Sequence, residues 1–335
     1  MIALALWSSA LSCSVVRDDS EALHGQVSVS GAFALYPLAV QWANDFQVRY
    51  PDVKIDVSAG GAGKGMTDVL NGMVDYAMLS RELHQEEADA GAVAFVVGRD
   101  AVIPVFSSDN PHIDLILKRG ITDKQARDIW VTGKITTWGQ LLGTRDRHRI
   151  NVYTRSDACG AAQTFASWFD SKQEELHGTA VFGDPGIAGA VSKDKWGIGF
   201  NNLAYAYDAQ THRARPGLAV LPIDIDGDGD IGPEERFYDS KEQLVNAIEL
   251  DKFPAPPARN LYFVTKGAPK DSASLAFLKY ALKDGQRFNE PAGYVKITGK
   301  LHNDNMKLLR TARKSMDLKR NTTDNVVGVF IALIV

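Results

Sequence analysis

Apolar positions along the chain switch repeatedly between a period of two and a period near 3.6. Gln26–Ser30 alternates as a half-buried strand does. Leu38, Trp42 and Phe46 then recur on one side of a helix that takes Pro37 in its first turn. Val53–Val57 repeats the strand pattern, and Met66, Val69, Leu70 and Met73 follow at helical spacing. Thr122–Ile129 reads as a helix with Thr122 as its N-cap. Asp271–Leu282 reads as a final amphipathic helix, with Leu275, Phe277, Leu278 and Ala281 mostly on one side. Strands alternating with helices predict an α/β architecture. Two apolar extended runs, Val102–Phe106 and Asn260–Thr265, suit chain crossings between two lobes. The first lobe takes residues 26–100 and 257–303, and the second takes 101–256.

Three strand-to-helix turns share one chemistry. Tyr153-Thr-Arg-Ser-Asp-Ala-Cys-Gly-Ala-Ala-Gln-Thr-Phe165 places Arg155, Asp157 and the backbone N–H groups of Cys159, Gly160 and Ala161 around one point. The first N–H groups of a helix lack intrahelical partners and carry the positive end of its dipole, so they suit an anion. The arginine adds a fork matched to a tetrahedral oxyanion. On these residues alone, a structural Arg155–Asp157 salt bridge beside an ordinary helix start explains the stretch equally well. Ser58-Ala-Gly-Gly-Ala-Gly-Lys-Gly-Met66 is a second such turn; it fails as a Walker A loop because Gly65 follows Lys64. Ser30-Gly-Ala-Phe-Ala-Leu-Tyr-Pro37 is a third. Together they predict an anion held by converging helix ends.

Read in order, Ser30-Gly…Tyr36-Pro-Leu, Gly60-Gly-Ala-Gly-Lys-Gly, Val74-Asp-Tyr-Ala-Met-Leu-Ser-Arg81, Gly133-Lys-Ile-Thr-Thr-Trp138, Arg155-Ser-Asp and Gly197-Ile-Gly-Phe200 resemble the phosphate-binding proteins of ABC-type phosphate importers. The resemblance runs from about residue 25 to about residue 300. It implies a two-lobed, type 2 periplasmic-binding fold, with mixed sheets flanked by helices and a ligand cleft between the lobes. It also implies a ligand shell of Ala32, Phe33, Ala62, Gly63, Ser80, Arg81, Arg155, Asp157, Cys159, Gly160 and Ala161. The family usually has Ser or Thr hydroxyls where this chain has Ala32, Phe33, Ala34, Ala62, Cys159 and Ala161. Backbone N–H groups do not depend on side-chain identity and can serve in their place. The implied ligand is inorganic phosphate, with molybdate, tungstate and sulfate as alternatives, and the implied partners are the permease subunits of the importer.

Composition changes this picture little. The chain has 335 residues, 45% of them hydrophobic, enough for two cored domains. A net charge of −4 and the lack of a basic stripe interleaved with aromatics argue against nucleic acid. Two cysteines, Cys13 and Cys159, are too few for a disulfide framework. Met1–Cys13 reads as a signal-peptide core leading to a lipoprotein-type cysteine, although no Lys or Arg follows Met1 and Ala10 fits the leucine position poorly. A buried N-terminal strand is the plain alternative. The expectation is a monomeric periplasmic or cell-surface protein, lipid-anchored at Cys13. Residues 304–335 form a basic and then apolar tail, whose last ten residues are too few to span a bilayer. A truncated gene, or read-through into a permease, explains that tail better than an anchor; a terminal strand is the alternative.

One motif lies outside the resemblance. Asp224-Ile-Asp-Gly-Asp-Gly-Asp-Ile-Gly-Pro-Glu-Glu235 fits a twelve-residue calcium loop in the second lobe. Asp224, Asp226 and Asp228 take positions 1, 3 and 5, Asp230 offers its carbonyl at 7, and Glu235 closes the loop at 12. A strand-like Gly217–Ile223 precedes it where a calcium sensor has a helix, so a structural Ca²⁺ is expected; an acidic solvated turn is the alternative. Two rival functions are an enzyme built on Cys159, at a helix N-terminus that lowers thiol pKa, and a sensor or adhesin lobe. The position six after Cys159 is Phe165, not the arginine of a Cys-x5-Arg phosphatase, so no enzyme is expected.

Overall fold

The computed structural model describes residues 23–311; the segment expected to be a signal sequence, with Cys13, and the tail beyond 311 lie outside the described residues. The chain opens with β1 (Gly25–Gly31), α1 (Tyr36–Arg49), β2 (Val53–Ala59), α2 (Ala62–Leu70), β3 (Tyr76–Leu79), α3 (Gln85–Asp89) and the long β4 (Ala92–Ser107). It continues through α4 (Ile113–Arg119), α5 (Asp123–Trp130), α6 (Trp138–Leu142), β5 (Asn151–Arg155) and α7 (Gly160–Ser167). After β6 (Thr179–Val181) come α8 (Gly183–Ser192), β7 (Gly197–Asn202), α9 (Leu203–Ala206), β8 (Leu218–Val220) and α10 (Lys241–Glu249). The last elements are β9 (Ala258–Lys266), α11 (Ser272–Leu282) and α12 (Asn289–Ala292). Residues 299–311 add one more helix, so α11 is not the last, contrary to expectation.

The mixed α/β class expected from the alternating pattern is what forms. The strands order as β2-β1-β3-β9-β4-β7-β5-β6, with β8 also on β4. Neighbours β1, β2 and β3 are parallel, as are β5, β6 and β7, while β4 and β9 run antiparallel to what they touch. Sixteen residues make β4 long enough to change partner: Ala92–Ala101 pairs with β9, and Val102–Phe106 pairs with β7. Three apolar clusters divide at the same place. One draws on residues 27–97 and 261–309, and two others draw mainly on 101–258.

Local signals behave largely as their chemistry requires. The Thr122 hydroxyl accepts from Gln125 N, and the Gln125 side chain returns the bond, closing a capping box. Pro37 sits in the first turn of α1, where a missing N–H costs nothing. Leu38, Trp42 and Phe46 are fully buried, and Trp42 Nε1 donates to the Gly285 carbonyl at 2.8 Å. Met73 departs from the periodic reading: α2 stops at Leu70, and Met73 is 70% exposed.

Where β4 changes partner, a buried ion pair stands in for apolar packing. Arg259, at the start of β9, donates from Nε to Asp100 Oδ1 at 2.8 Å, and neither side chain is more than 6% exposed. Burial raises the Asp100 pKa, while Arg259 pulls it down. Removing one partner of such a pair costs roughly 3–5 kcal/mol, because the other charge stays buried alone. Arg259→Met should lose about that much in denaturant titration, and adding Asp100→Asn should recover most of it. Full additivity of the two changes would refute the coupling.

Candidate functional site

The turns after β1, β2 and β5 meet in a small cavity, joined by the ends of β3 and β7. Ala32, Phe33 and Ala34 come from the first turn, Gly61 and Ala62 from the second, and Arg155, Cys159 and Ala161 from the third. Ser80, Asp184 and Asn202 complete the lining. The cavity measures about 10 Å³, room for roughly one water molecule. The turns approach so closely because they lack side chains at the contacts. A Cβ on Gly160 would collide with the Ser80 carbonyl and hydroxyl, and one on Gly61 would lie 3.1 Å from Asp157 Oδ2.

Arg155 is the centre of this arrangement. Its side chain is 1% exposed, and three of its five N–H groups are spent on carboxylates. Nε donates to Asp157 Oδ1 at 2.8 Å, Nη2 to Asp157 Oδ2 at 2.5 Å, and Nη1 to Asp184 Oδ2 at 2.6 Å. Burial alone would lower its pKa, but Asp184 and Asp157 hold it above the ordinary arginine value. The Phe33 ring covers it from outside, 5.7 Å from the guanidinium, and meets Phe182 edge-on at 5.8 Å. Arg155 therefore does not present the open fork that its sequence context predicts; two N–H groups remain.

Backbone donors come from two helix starts. In α2, Ala62 and Gly63 lie in the first turn, ahead of the first helical bond from Gly65 N to Gly61 O. In α7, Gly160 and Ala161 are in the same position, while Ala162 N donates to Cys159 Sγ. Two expected donors are already committed: Cys159 N–H goes to Gln173 Oε1 at 3.0 Å, and Ala32 N–H goes to the Met78 carbonyl at 2.9 Å. Arg81 is also displaced from the expected shell. Its guanidinium grips both oxygens of Glu87 and borders a separate groove with Arg99 and Arg259. Lys64 of the glycine-rich turn is likewise turned away, onto Asp68 and Ser30.

The motif reading missed a second layer of the site. Asp184 lies in the first turn of α8, after the Phe182-Gly183 turn that follows β6, another strand-to-helix junction readable in the sequence. Its second oxygen accepts from Asn202 Nδ2 at 2.6 Å and Asn202 N at 3.2 Å. Asn202 Oδ1 in turn accepts from Arg259, whose Nη1 donates to the Ser80 carbonyl at 3.0 Å. A continuous polar chain thus runs Asp157–Arg155–Asp184–Asn202–Arg259–Asp100. No local pattern announces Asn202 or Arg259, because their partners are distant in sequence.

The sequence matches the PBP superfamily domain over residues 18–284, and the chain belongs to that family. The phosphate-binding protein PstS of Xylella fastidiosa (strain 9a5c) is 26% identical over 302 residues, covering 81% of each chain. PstS of Bacillus subtilis (strain 168) is 28% identical over 229 residues, covering 68% of this chain and 70% of its own. In fold, the chain resembles a phosphate ABC transporter substrate-binding protein of Clostridium perfringens, solved with bound phosphate. That match has a TM-score of 0.68 and 23% identity, covering 82% of this chain and 100% of the other. Among the described residues, no helix is long and apolar enough to cross a membrane.

Cys159 lines the cavity but is not poised as a nucleophile. Burial pushes its thiol up to about 12, against the pull of Arg155. In the native protein Cys159 should therefore react with iodoacetamide at pH 8 at least ~100-fold more slowly than in the denatured chain. Alkylation of Cys159 at similar rates in both states, read by peptide mass mapping, would show an accessible thiolate.

Proposed function

We propose that this protein captures inorganic phosphate outside the cytoplasmic membrane and delivers it to the permease subunits of an ABC importer. The carrying observation is a buried arginine set at the focus of two helix N-termini in a cavity closed by opposing turns. Relatives named phosphate-binding proteins support the reading. Phosphate oxygens would accept from the N–H groups of Ala62, Gly63, Gly160 and Ala161, from the Ser80 hydroxyl and from the two remaining N–H groups of Arg155. The cavity is too small for a tetrahedral anion as it stands, so capture requires the turns to part and the Phe33 ring to shift.

The two carboxylates on Arg155 shape selectivity. Asp157 and Asp184 neutralise the arginine and leave the cluster with one positive and two negative formal charges. An oxyanion that carries a proton can donate it to one of these carboxylates, while a fully ionised one meets only repulsion there. Phosphate keeps a proton near neutral pH and sulfate does not. Arsenate keeps a proton as phosphate does and is the remaining competitor, while molybdate and tungstate are fully ionised near neutral pH and meet the same repulsion as sulfate. Catalysis is disfavoured, because the Cys159 thiol that lines the cavity is buried and no histidine lines it.

Calorimetry against phosphate, arsenate, sulfate, molybdate and tungstate tests the ligand. Phosphate should bind most tightly. Arg155→Lys keeps the charge but loses the fork, and should weaken phosphate binding by roughly 10–100-fold in a protein that still melts cooperatively. Asp157→Asn should narrow the phosphate-over-sulfate preference by at least about tenfold. Unchanged affinity in the first variant would remove Arg155 from the site, and an unchanged ratio in the second would leave Asp157 a purely structural role.

We propose further that Asp224, Asp226, Asp228, the Asp230 carbonyl and Glu235 hold a structural Ca²⁺. Carboxylate oxygens of Asp224, Asp226 and Glu235 lie within 4.8 Å of one another, and Asp224 and Glu235 are almost wholly buried. The Asp228 side chain instead accepts from Asp230 N at 2.9 Å, and the Asp230 carboxylate faces Lys118 at 3.6 Å. At a hundredfold excess over Kd, such an ion adds about 2.7 kcal/mol to folding. Chelation should lower the melting temperature and leave anion affinity unaltered. Identical melting with and without chelator, and no calcium by elemental analysis, would reduce the loop to an acidic turn.

A further inference from the structure

A second cavity, of about 410 Å³, lies between elements of the two cores, apart from the arginine site. Pro37 and Gln41 of α1 and Phe288, Pro291 and Ala292 line one side, and Tyr205, Tyr207, Arg215 and Lys241 line the other. Its size suits a small organic molecule, and its walls are mostly apolar. What sets it apart is charge. Lys241 is 1% exposed, yet its ammonium has a single acceptor, the Pro291 carbonyl at 3.2 Å. Two of its three N–H groups have no partner among the described residues.

A buried ammonium with no carboxylate in direct contact is expensive, and this one is badly placed in other ways. Lys241 is the first residue of α10, where the helix dipole is positive and a cation is disfavoured. Burial pulls its pKa down, and Asp208 offsets this only at a distance, since its own carboxylate is held by the N–H groups of Gln210 and Thr211. Arg215, which is half-buried, donates to the Ala204 and Tyr207 carbonyls and makes no direct ion pair among the described residues, although Asp208 lies near enough to feel its charge. Two cations that share only the distant Asp208 carboxylate, with no direct ion pair among the described residues, thus border one apolar cavity. A buried ammonium such as Lys241 is stabilised when an anion pairs with it.

We propose that this cavity is a second ligand site, taking a small organic carboxylate whose head meets Lys241 and Arg215 and whose apolar body packs against Pro37, Phe288 and Ala292. The Tyr205 hydroxyl donates to the Phe33 carbonyl at 3.3 Å, so an occupant would also touch the wall shared with the arginine site.

Calorimetry on the full chain with sodium benzoate, and with benzamide as its uncharged counterpart, tests the proposal. Benzoate should bind and benzamide should bind at least about tenfold more weakly. Lys241→Met, which removes the buried charge without opening a void, and Arg215→Gln should each weaken benzoate binding by a similar factor while phosphate titrates as before. No benzoate heat up to the solubility of the salt would overturn the site. Equal affinity for benzamide, or unchanged benzoate affinity in both variants, would do the same. Tighter binding of phenyl phosphate than of benzoate would overturn the choice of a carboxylate head.

Discussion

The fold's functional half depends on the Arg155 guanidinium being held between two carboxylates. Without Asp157 and Asp184, a side chain only 1% exposed would carry an unpaired charge in a nearly water-free interior. With them, the arginine is fixed in direction, and what it can offer a ligand is limited to two N–H groups. The carboxylates come from different elements, the turn after β5 and the first turn of α8, so the arginine also ties those elements together.

The same polar chain reaches the place where β4 exchanges β9 for β7. Asp184 passes to Asn202, Asn202 to Arg259, and Arg259 to Asp100, each link buried. Apolar cores divide at this point, so the polar chain lies where hydrophobic continuity stops. The polar chain thus links the strand crossing to the cavity through buried contacts.

Much of this was legible in the sequence. The period switches and glycine turns marked the helix starts, and Arg155 and Asp157, two residues apart at a strand end, marked the focus. What escaped reading did so for identifiable reasons. Ser80 faces the cavity, but the next residue, Arg81, turns away and finds Glu87 six positions later. The N–H groups of Ala32 and Cys159 are claimed by Met78 and Gln173, acceptors brought in by tertiary packing. Asp184 offered a weak signal in its turn; Asn202, Asp100 and Arg259 offered none, because their pairings span long stretches of chain.

The donors proposed for the site belong mostly to the backbone, and this has an evolutionary consequence. A shell of serine and threonine hydroxyls is erased one substitution at a time, whereas peptide N–H groups at positions 62, 63, 160 and 161 survive almost any replacement that preserves the turn. Drift to alanine and cysteine in these turns can therefore run far without dismantling the anion cradle. Two kinds of change reach it directly: proline, which deletes the N–H itself, and a side chain at a close-approach glycine, such as position 160 against Ser80 or position 65 against Gly31. Such a pocket is tolerant in composition and intolerant in shape, so its ancestry fades from the letters of the sequence sooner than from its geometry.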